Sequence, residues 1–345
     1  MSLPVLPAQP PGTPYPTDSW PRTDPPAALK SALQPFLETA FEQGPDGDLG
    51  ETHALLIIRD GKLMIERYGF GYGPGDTRPS WSMAKSMTHA LAGMMVADTG
   101  FDIHAPLRAP EWSAADDPRS AITLDHLLRM SSGLTFIEEY QAGHPSHVLE
   151  MLYGSGKADT AAYAASLPLL HAPGTVWSYA SGTTNIISRR IAQHAGGGRE
   201  GFGRFMKDRL FSPLGMTSAI PKFDAAGVFI GSSYCFCTPQ DFARFGLLYL
   251  RGGLWEGRRL LPASWIDYAR TPTPQPPEAA LGYGAHWWLS LGGPGSFSAN
   301  GFEGQFIVCL PESDTLIVRS GRTPLANREA LASWMKALSG TLTTV

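Results

Sequence analysis

The chain has 345 residues, of which 43% are hydrophobic and 17% charged, and its formal net charge is −4. A chain of this length forms one large catalytic unit or two closely packed domains. The weak negative charge and the scattered basic residues give no electrostatic footprint for DNA, RNA or an anionic membrane. We therefore expect neither a nucleic-acid nor a membrane partner.

Residues 1–26 are rich in proline, which predicts an N-terminal arm without regular structure. The arm lacks the basic start and the unbroken apolar run of a secretion signal, and no later stretch is long and apolar enough to span a bilayer. These features predict a cytoplasmic protein.

The cysteines and histidines give no metal-binding pattern. Cys235, Cys237 and Cys309 form an odd set without the spacing of a zinc knuckle, and no His-Glu-x-x-His helix is present. Buried free thiols are the expectation for the three cysteines. The sequence implies no metal and no other cofactor.

Hydrophobic periodicity and turn residues predict the elements that follow the arm. Asp60-Gly61 joins two apolar runs as a β-hairpin, and Thr238 with Pro239 is typical of a helix start. In chain order the predicted elements are a helix over 27–43, strands over 53–59 and 62–68, helices over 82–96, 123–130, 147–153, 159–165, 182–194, 201–210, 238–250 and 262–270, strands over 285–289, 305–310 and 315–319, and a helix over 327–338.

This order predicts an α/β (α+β) fold in which both ends of the chain build one antiparallel sheet flanked by helices. The sheet domain comprises residues 27–81 and 217–345, and a mostly helical subdomain comprises residues 82–216. Ser82 lies at the seam between the two. Because clefts between domains commonly bind small ligands, the active site is expected there.

Ser82 and Lys85 are the first pair of chemical interest. They are one helical turn apart, so the hydroxyl and the amine lie on one face, where a lysine shielded from water can accept the serine proton. Ser333 and Lys336 have the same spacing in the last predicted helix. Almost no chain follows that pair to supply further donors, so we interpret it as a solvated helix face.

A second element surrounds Tyr179, which lies between Pro173-Gly174 and a predicted helix. A tyrosine there can relay a proton between the serine, the lysine and the leaving group, and Ser181 can act as a hydrogen-bond donor. Tyr153 with Ser155 has the same pattern, but Tyr153 ends a helix and is interpreted as a packing residue.

The third element is the small and glycine-rich run that leads into the strand at 305–310. Gly301 permits a close approach of the backbone to a substrate, and the N–H that follows it can complete an oxyanion hole with the N–H of Ser82. The alternative is an ordinary tight turn before a strand, and this segment taken alone favours the turn.

Together the three elements resemble the penicillin-recognising serine hydrolases: class C β-lactamases, D-alanyl-D-alanine peptidases, related esterases and 6-aminohexanoate-dimer hydrolases. The Ser-x-x-Lys motif matches at Ser82 and Lys85, the Tyr-x-Asn/Ser motif at Tyr179 and Ser181, and the Lys/His-Thr-Gly motif, in altered form, at Ala299, Asn300 and Gly301. Segments 126–134, 178–185 and 237–246 look like the 6-aminohexanoate-dimer hydrolase branch in particular. The resemblance covers nearly the whole chain after the arm and implies a β-lactamase/transpeptidase-like fold.

The resemblance also implies acyl transfer through a covalent intermediate. Ser82 would attack the carbonyl, and Lys85 with Tyr179 would manage its proton, the order between these two being left open. The backbone N–H groups of Ser82 and Phe302 would form the oxyanion hole. Substrate contacts would come from Tyr140, Ser181, Asn300 and Gly301; for Tyr140, which the resemblance places in a loop that closes over substrate, a surface-packed aromatic is the alternative.

Ala299 bears on the substrate, because the family has a basic residue there that helps hold a substrate carboxylate and alanine cannot. The sequence therefore favours small amides or esters as the small-molecule partner. A β-lactamase or D-alanyl-D-alanine peptidase is the alternative, as is a non-catalytic binding protein of the same fold. An α/β-hydrolase is disfavoured because no Gly-x-Ser-x-Gly elbow is present. The sequence leaves open whether the chain forms a homodimer.

Overall fold

A computed structural model describes residues 3–141, 143–277 and 281–344. The helices are α1 (Ala27–Glu42), α2 (Met83–Thr99), α3 (Leu124–Leu128), α4 (His147–Tyr153), α5 (Thr160–Ser166), α6 (Ser181–His194), α7 (Gly198–Met206), α8 (Ser212–Leu214), α9 (Pro239–Leu250), α10 (Ala263–Arg270) and α11 (Arg328–Thr344). The strands are β1 (Glu51–Arg59), β2 (Lys62–Tyr68), β3 (Arg78–Pro79), β4 (Ile220–Pro221), β5 (Cys235–Cys237), β6 (Leu254–Trp255), β7 (Arg258–Arg259), β8 (Gly282–Tyr283), β9 (Trp288–Leu289), β10 (Phe297–Gly301), β11 (Gln305–Leu310) and β12 (Thr315–Arg322).

The main sheet has seven strands in the order β2-β1-β12-β11-β10-β9-β8, and its neighbouring strands are antiparallel. The predicted β1–β2 hairpin is confirmed, and Asp60 and Gly61 at its turn have φ values of 53° and 71°, as a type I′ turn requires. Strands from both ends of the chain meet where β1 pairs with β12. The predicted antiparallel sheet with flanking helices is confirmed, whereas the division into domains stays a prediction.

Both faces of this sheet are buried. On β1, Leu56 and Ile58 pack into a cluster that includes α2 and α9, whereas Leu55 and Ile57 pack on the opposite side into a cluster with α1 and α11. Because side chains alternate between the faces, a strand covered on both sides reads as a continuous apolar run. That explains why β1 is easily found in the sequence. The sheet therefore separates two apolar layers, and α2 lies in the larger one.

The helices predicted between 82 and 216 are present with small shifts in their ends, and the described residues of that region contain no strand beyond isolated bridges. The largest difference concerns 201–210, where α7 begins earlier and passes into a π-helical segment, Lys207–Phe211. The last helix, predicted to end at 338, continues to Thr344. These differences affect the ends of elements and not their type.

The prediction of one strand over 285–289 is wrong for most of its length. A hairpin of β8 and β9 is found instead, with a turn in which Gly284 N–H donates to Trp287 O at 2.8 Å and His286 has a φ of 57°. The His286 N–H donates to Leu128 O, which ties this turn to α3. A local apolar pattern does not reveal such a tertiary contact.

The segment that taken alone favoured a tight turn is strand β10, which pairs with β11 over its whole length and with β9 at its start. Serine, asparagine and glycine have weak β propensity, so local composition argued against a strand. Pairing on both sides overrides that preference. The strand runs toward the N-terminus of α2, so its end lies beside Ser82.

From Leu3 to Pro26 the arm has no helix or strand beyond a bridge between Arg22 and Leu63. It is nevertheless attached to the core. Arg244 donates to Pro16 O and Arg251 to Gln9 Oε1, each at 2.7 Å. Elsewhere, the three cysteines are buried free thiols, as predicted. A search of the described residues finds no helix whose length and apolar character would let it cross a bilayer.

Candidate active site

Helix α2 places Ser82 and Lys85. Every residue from Met83 to Met95 is buried, so the helix is enclosed on all sides and carries Lys85 into the interior with it. Ser82 is the N-cap and remains partly exposed at the positive end of the helix. Trp81 before it has a φ of 45°, a conformation that bulky residues seldom adopt and that is typical of functional sites.

Lys85 is at the centre of a set of oxygen atoms. Its Nζ lies 2.9 Å from Ser82 Oγ, 2.9 Å from Ser181 Oγ and 2.9 Å from the carbonyl oxygen of Ser232. The side chain is only 2% exposed. Burial lowers the pKa of the amine to about 8, and the negative charge of Glu138 acts in the opposite direction. A substantial fraction of Lys85 is therefore neutral just above neutral pH, although the amine is fully hydrogen-bonded.

Tyr179 precedes α6, with its ring centroid 4.8 Å from Lys85 Nζ. Burial and then the charge of Glu138 raise the pKa of its phenol, while a hydrogen bond with Ser82 lowers it. Because the net shift is upward, Tyr179 holds its proton at neutral pH. The ring packs against Trp288 at 5.4 Å and Tyr283 at 6.2 Å between centroids.

The end of β10 forms the opposite side of the site. A Cβ atom placed on Gly301 would lie 2.5 Å from Ser80 O, so only glycine permits this approach to the segment before Ser82. Neither the Ser82 N–H nor the Phe302 N–H donates a hydrogen bond to any acceptor that the structure describes. The ring of Phe302 meets that of Trp81 with 5.7 Å between centroids. Two free backbone donors thus lie on segments that touch.

Ala299 and Asn300 precede this approach. Ala299 is 1% exposed and supplies no charge to the site. Asn300 pairs in the sheet with Phe306, and its buried Oδ1 has no hydrogen-bond partner among the described residues. An unpaired amide oxygen is a candidate acceptor for a substrate N–H.

Tyr140 lies in the same site. Its ring stacks on Phe302 with 4.8 Å between centroids, and its hydroxyl donates to Glu138 Oε1 at 2.6 Å. Burial raises the pKa of this phenol as well. Tyr140 is therefore packed against the residue whose N–H is the second candidate oxyanion donor.

Glu138 was not identified from the sequence, although it lies two residues before Tyr140. Ser181 donates to its carboxylate twice, from Oγ at 2.6 Å and from the backbone N–H at 2.7 Å. Adjacent acidic residues between helices are normally solvated, so no sequence pattern indicates that one of them turns inward. Ser181, which was predicted to contact substrate, is fully buried and bonded to Lys85 and Glu138.

Ser232 was also missed, because the atom that it contributes is a backbone carbonyl and any residue type could supply it. Its N–H donates to Asn185 Oδ1 at 3.1 Å, which fixes the carbonyl that accepts from Lys85. Asn185 lies on α6 and is fully buried. The sequence points to Asn185 only through segment 178–185, which looks like the 6-aminohexanoate-dimer hydrolase branch.

The second Ser-x-x-Lys pair and the second tyrosine motif lie elsewhere. Ser333 and Lys336 are exposed on α11, which confirms the solvated-face interpretation. The prediction that Tyr153 is a packing residue is wrong, because its side chain is 56% exposed and its hydroxyl contacts that of Tyr234. Within the described residues, no group of three His, Cys, Asp or Glu side chains is arranged to hold a metal ion.

Comparison with known proteins gives the family. The sequence model of the Beta-lactamase family matches residues 38–335, which is most of the chain. The chain belongs to the beta-lactamase family. This beta-lactamase family member is 24% identical over 293 residues to 6-aminohexanoate-dimer hydrolase of Paenarthrobacter ureafaciens, covering 79% of this chain and 73% of the relative. The predicted resemblance to that branch is confirmed.

Solved structures show the same beta-lactamase fold. A candidate 6-aminohexanoate-dimer hydrolase from Bacillus anthracis superposes with a TM-score of 0.74 at 20% identity, over 96% of this chain and 89% of that one. An octameric penicillin-binding protein homologue from Pyrococcus abyssi superposes with a TM-score of 0.65 at 17% identity, over 90% and 76%. The predicted β-lactamase/transpeptidase-like fold is confirmed. The chain is thus a member of a hydrolase family, and whether it forms a homodimer stays open.

Proposed function

We propose that this protein is a serine hydrolase that cleaves amide or ester bonds of small molecules through an acyl-enzyme on Ser82. One observation supports this most directly: a buried amine, with its pKa lowered to about 8, lies 2.9 Å from the Ser82 hydroxyl. A neutral amine at that distance is an effective general base for an alcohol. The two free N–H groups nearby give the anionic oxygen of a tetrahedral intermediate a place to bind.

Lys85, rather than Tyr179, is the base in this proposal. Tyr179 has a raised pKa and stays protonated, so it cannot take a proton at neutral pH, whereas Lys85 is partly neutral there. Ser82 Oγ forms a bond to the substrate carbonyl carbon as its proton passes to Lys85 Nζ. The carbon–nitrogen or carbon–oxygen bond then breaks as Tyr179 donates its proton to the leaving amine or alkoxide and regains one from Lys85.

Hydrolysis of the acyl-enzyme repeats these steps with water. Water attacks the acyl carbon as Lys85 accepts one of its protons, and the bond to Ser82 Oγ breaks as the serine recovers a proton. The N–H groups of Ser82 and Phe302 stabilise the oxyanion in both halves of the reaction. Removal of one such donor typically costs about a hundredfold to a thousandfold in rate.

The walls of the site support an uncharged or weakly polar acyl group. One aromatic wall is formed by Trp81, Tyr140, Tyr234 and Phe302, and the other by Trp177, Tyr179 and Trp288. Such walls bind apolar chains and flat groups. Ala299 adds no charge, so a linear amide of the 6-aminohexanoate type or a small ester suits the site better than an anion. Tyr140, Asn300 and Gly301 are the proposed substrate contacts.

A second candidate function rests on Arg328 at the start of α11. Its guanidinium lies 5.7 Å from the centroid of the Phe302 ring, is exposed, and has no ion-pair partner among the described residues. A free arginine at the mouth can hold a substrate carboxylate, which favours a β-lactamase or D-alanyl-D-alanine peptidase. In that case Arg328→Gln lowers the turnover of a penicillin and leaves the turnover of a neutral ester unchanged. If the variant turns over the penicillin as fast as wild type does, this candidate function is refuted.

The test of the main proposal is intact-protein mass spectrometry after exposure to p-nitrophenyl butyrate, a linear 6-aminohexanoate amide and a penicillin. We expect a transient acyl adduct, or turnover, that disappears in Ser82→Ala. Ser333→Ala is the matched control, because it removes the exposed serine of the other Ser-x-x-Lys pair. An adduct that persists in Ser82→Ala would refute the assignment of the nucleophile. Neither adduct nor turnover with any of the three substrates would favour a binding protein.

A further inference from the structure

The Glu138 carboxylate is the acceptor for three hydrogen bonds inside the site. Oε1 accepts from the hydroxyls of Ser181 and Tyr140, each at 2.6 Å, and Oε2 accepts from the Ser181 N–H at 2.7 Å. Its neighbour Glu139 instead accepts from the backbone N–H groups of Tyr140 and Gln141. Glu138 therefore binds side chains of the site, whereas Glu139 binds only the backbone of its own segment.

These bonds determine the direction of the bonds made by Lys85. The Ser181 hydroxyl has one proton, and that proton is donated to Glu138, so Ser181 Oγ can only accept from Lys85. The Ser232 carbonyl can also only accept. A neutral amine has two N–H donors and one lone pair, and these two acceptors use both donors. The lone pair is left to face Ser82 Oγ, the third neighbour at 2.9 Å.

We propose that Glu138 is a positioning residue which, through Ser181, aims the lone pair of Lys85 at the Ser82 hydroxyl. The inference rests on the proposed function, because it requires neutral Lys85 to act as the base. Without Glu138, the Ser181 hydroxyl is free to turn its proton toward Lys85. The lone pair is then shared between Ser181 and Ser82, and fewer molecules have the amine in the productive orientation.

The same carboxylate also holds Tyr140 in the site. Because Tyr140 donates to the oxygen that also accepts from Ser181, its ring is kept against Phe302, whose N–H is the proposed second oxyanion donor. One side chain thus connects the base on α2 with the wall on the other side of the cleft. A contact with Tyr140 alone would influence substrate binding, whereas the contact with Ser181 influences the base.

Glu138 also provides a signature that a purely structural role would lack. The titratable groups that face Lys85 or Glu138 are Tyr140, Tyr179, Tyr283 and His286, in addition to this pair. The three phenols have raised pKa values and His286 has a pKa lowered to about 3, so all four are neutral near pH 7.

Within the part of the chain that the structure describes, the other charged group that acts on this set is Arg328, which is exposed and lowers the pKa of Tyr179. Among the described residues, Glu138 is therefore the anion that favours the ammonium form of Lys85. Removing its charge lowers the pKa of Lys85. Because the neutral amine is the active form, the acidic limb of the pH profile then moves to lower pH.

The experiment compares Glu138→Gln, Glu138→Asp and the control Glu139→Gln in the full chain, with kcat/KM for p-nitrophenyl butyrate measured from pH 5.5 to 10. For Glu138→Gln we expect a plateau lowered roughly ten- to a hundredfold, because the amide has one uncharged acceptor oxygen for three donors and its NH2 group cannot accept from the Ser181 N–H. The limb shifts to lower pH because the charge is removed. Glu138→Asp retains the charge, so its limb stays in place while the plateau falls in part. Glu139→Gln keeps both limb and plateau.

A Glu138→Gln profile with an unshifted limb, or with an undiminished plateau, overturns the inference. Thermal unfolding of each variant shows whether a lower plateau is caused by misfolding. The position of the limb is independent of misfolding, because only folded, active molecules contribute to the measured rate. Failure of the proposed function looks different, because wild type would then show no rate above that of Ser82→Ala. Wild-type activity with an unchanged Glu138→Gln profile therefore refutes only the role of Glu138.

Discussion

The pH dependence of acylation is a quantitative prediction of the Ser82–Lys85 pair. Lys85 is active as the neutral amine, and burial lowers its pKa from 10.5 to about 8. The rate should therefore rise tenfold for each pH unit below 8 and level off above it. At pH 7 about one tenth of the protein carries the active form, and at pH 6 about one hundredth. A lysine with its ordinary pKa would be neutral in about three of ten thousand molecules at pH 7. The difference of 2.5 pKa units makes the neutral form roughly 300 times more abundant.

The assay is kcat/KM for a p-nitrophenyl ester at constant ionic strength, with the rate of Ser82→Ala subtracted to remove hydrolysis by buffer and hydroxide. Lys85→Arg should abolish the activity over the whole pH range, and with it the acidic limb, because a guanidinium does not lose its proton in this range. Lys336→Ala, which changes the exposed lysine of the other Ser-x-x-Lys pair, should leave the profile unchanged. A flat profile between pH 6 and 9, or a rate that falls as the pH rises, would refute the role of Lys85. A limb near pH 6.5 would also refute it, because such a limb would indicate that a group other than Lys85 is the base. His286 is not that group, since burial lowers its pKa to about 3.

Two further substitutions test the packing that creates the site. Gly301→Ala adds a methyl group 2.5 Å from Ser80 O, so β10 must withdraw from α2, and kcat/KM should fall roughly ten- to a hundredfold. The control is Gly340→Ala, at a helical position with open space around it. It should leave kcat/KM unchanged and stabilise the fold by about 0.5–1 kcal/mol in denaturant titrations. A matched loss in both would contradict the steric argument. Lys85→Met should abolish turnover yet raise the free energy of unfolding at pH 7 by up to about 3 kcal/mol. The reason is that Lys85, whose pKa is lowered in the folded state, destabilises the fold fully below that pKa and ceases to do so as the pH rises toward 10.5. An equal gain in the free energy of unfolding at pH 7 and at pH 10.5 would exclude this electrostatic origin.

The part of the site that the sequence reveals is the part held in local geometry. Ser82 and Lys85 are brought together by one turn of helix, so their spacing alone predicts their contact. The β1–β2 hairpin is equally local, since Asp60-Gly61 determines its turn. By contrast, Glu138 meets Ser181 across 43 positions of the chain, and the carbonyl of Ser232 meets Lys85 across 147. No period or turn signal encodes such meetings.

Strand β10 shows how tertiary pairing overrides a local preference. Four of its five residues are small, and a turn is the better interpretation of the segment alone. In the folded chain, Ser298 is fully buried between the partner strands β9 and β11. Glycine at position 301 is then explained by the 2.5 Å approach to Ser80 O and not by turn geometry. The residue that looked like a turn former is the one that lets the sheet reach the nucleophile.

The pKa of Lys85 is set by two influences of different origin. Burial of α2 lowers it and belongs to the whole apolar layer, so it cannot be changed without repacking the core. The charge of Glu138 raises it and belongs to one side chain between α3 and α4. The same carboxylate that aims the lone pair of the base therefore also reduces how often the base is neutral. Substitution at position 138 is accordingly the route by which the pH range of the proposed reaction can change while the fold stays the same, and the accompanying loss of orientation limits how far that change can go.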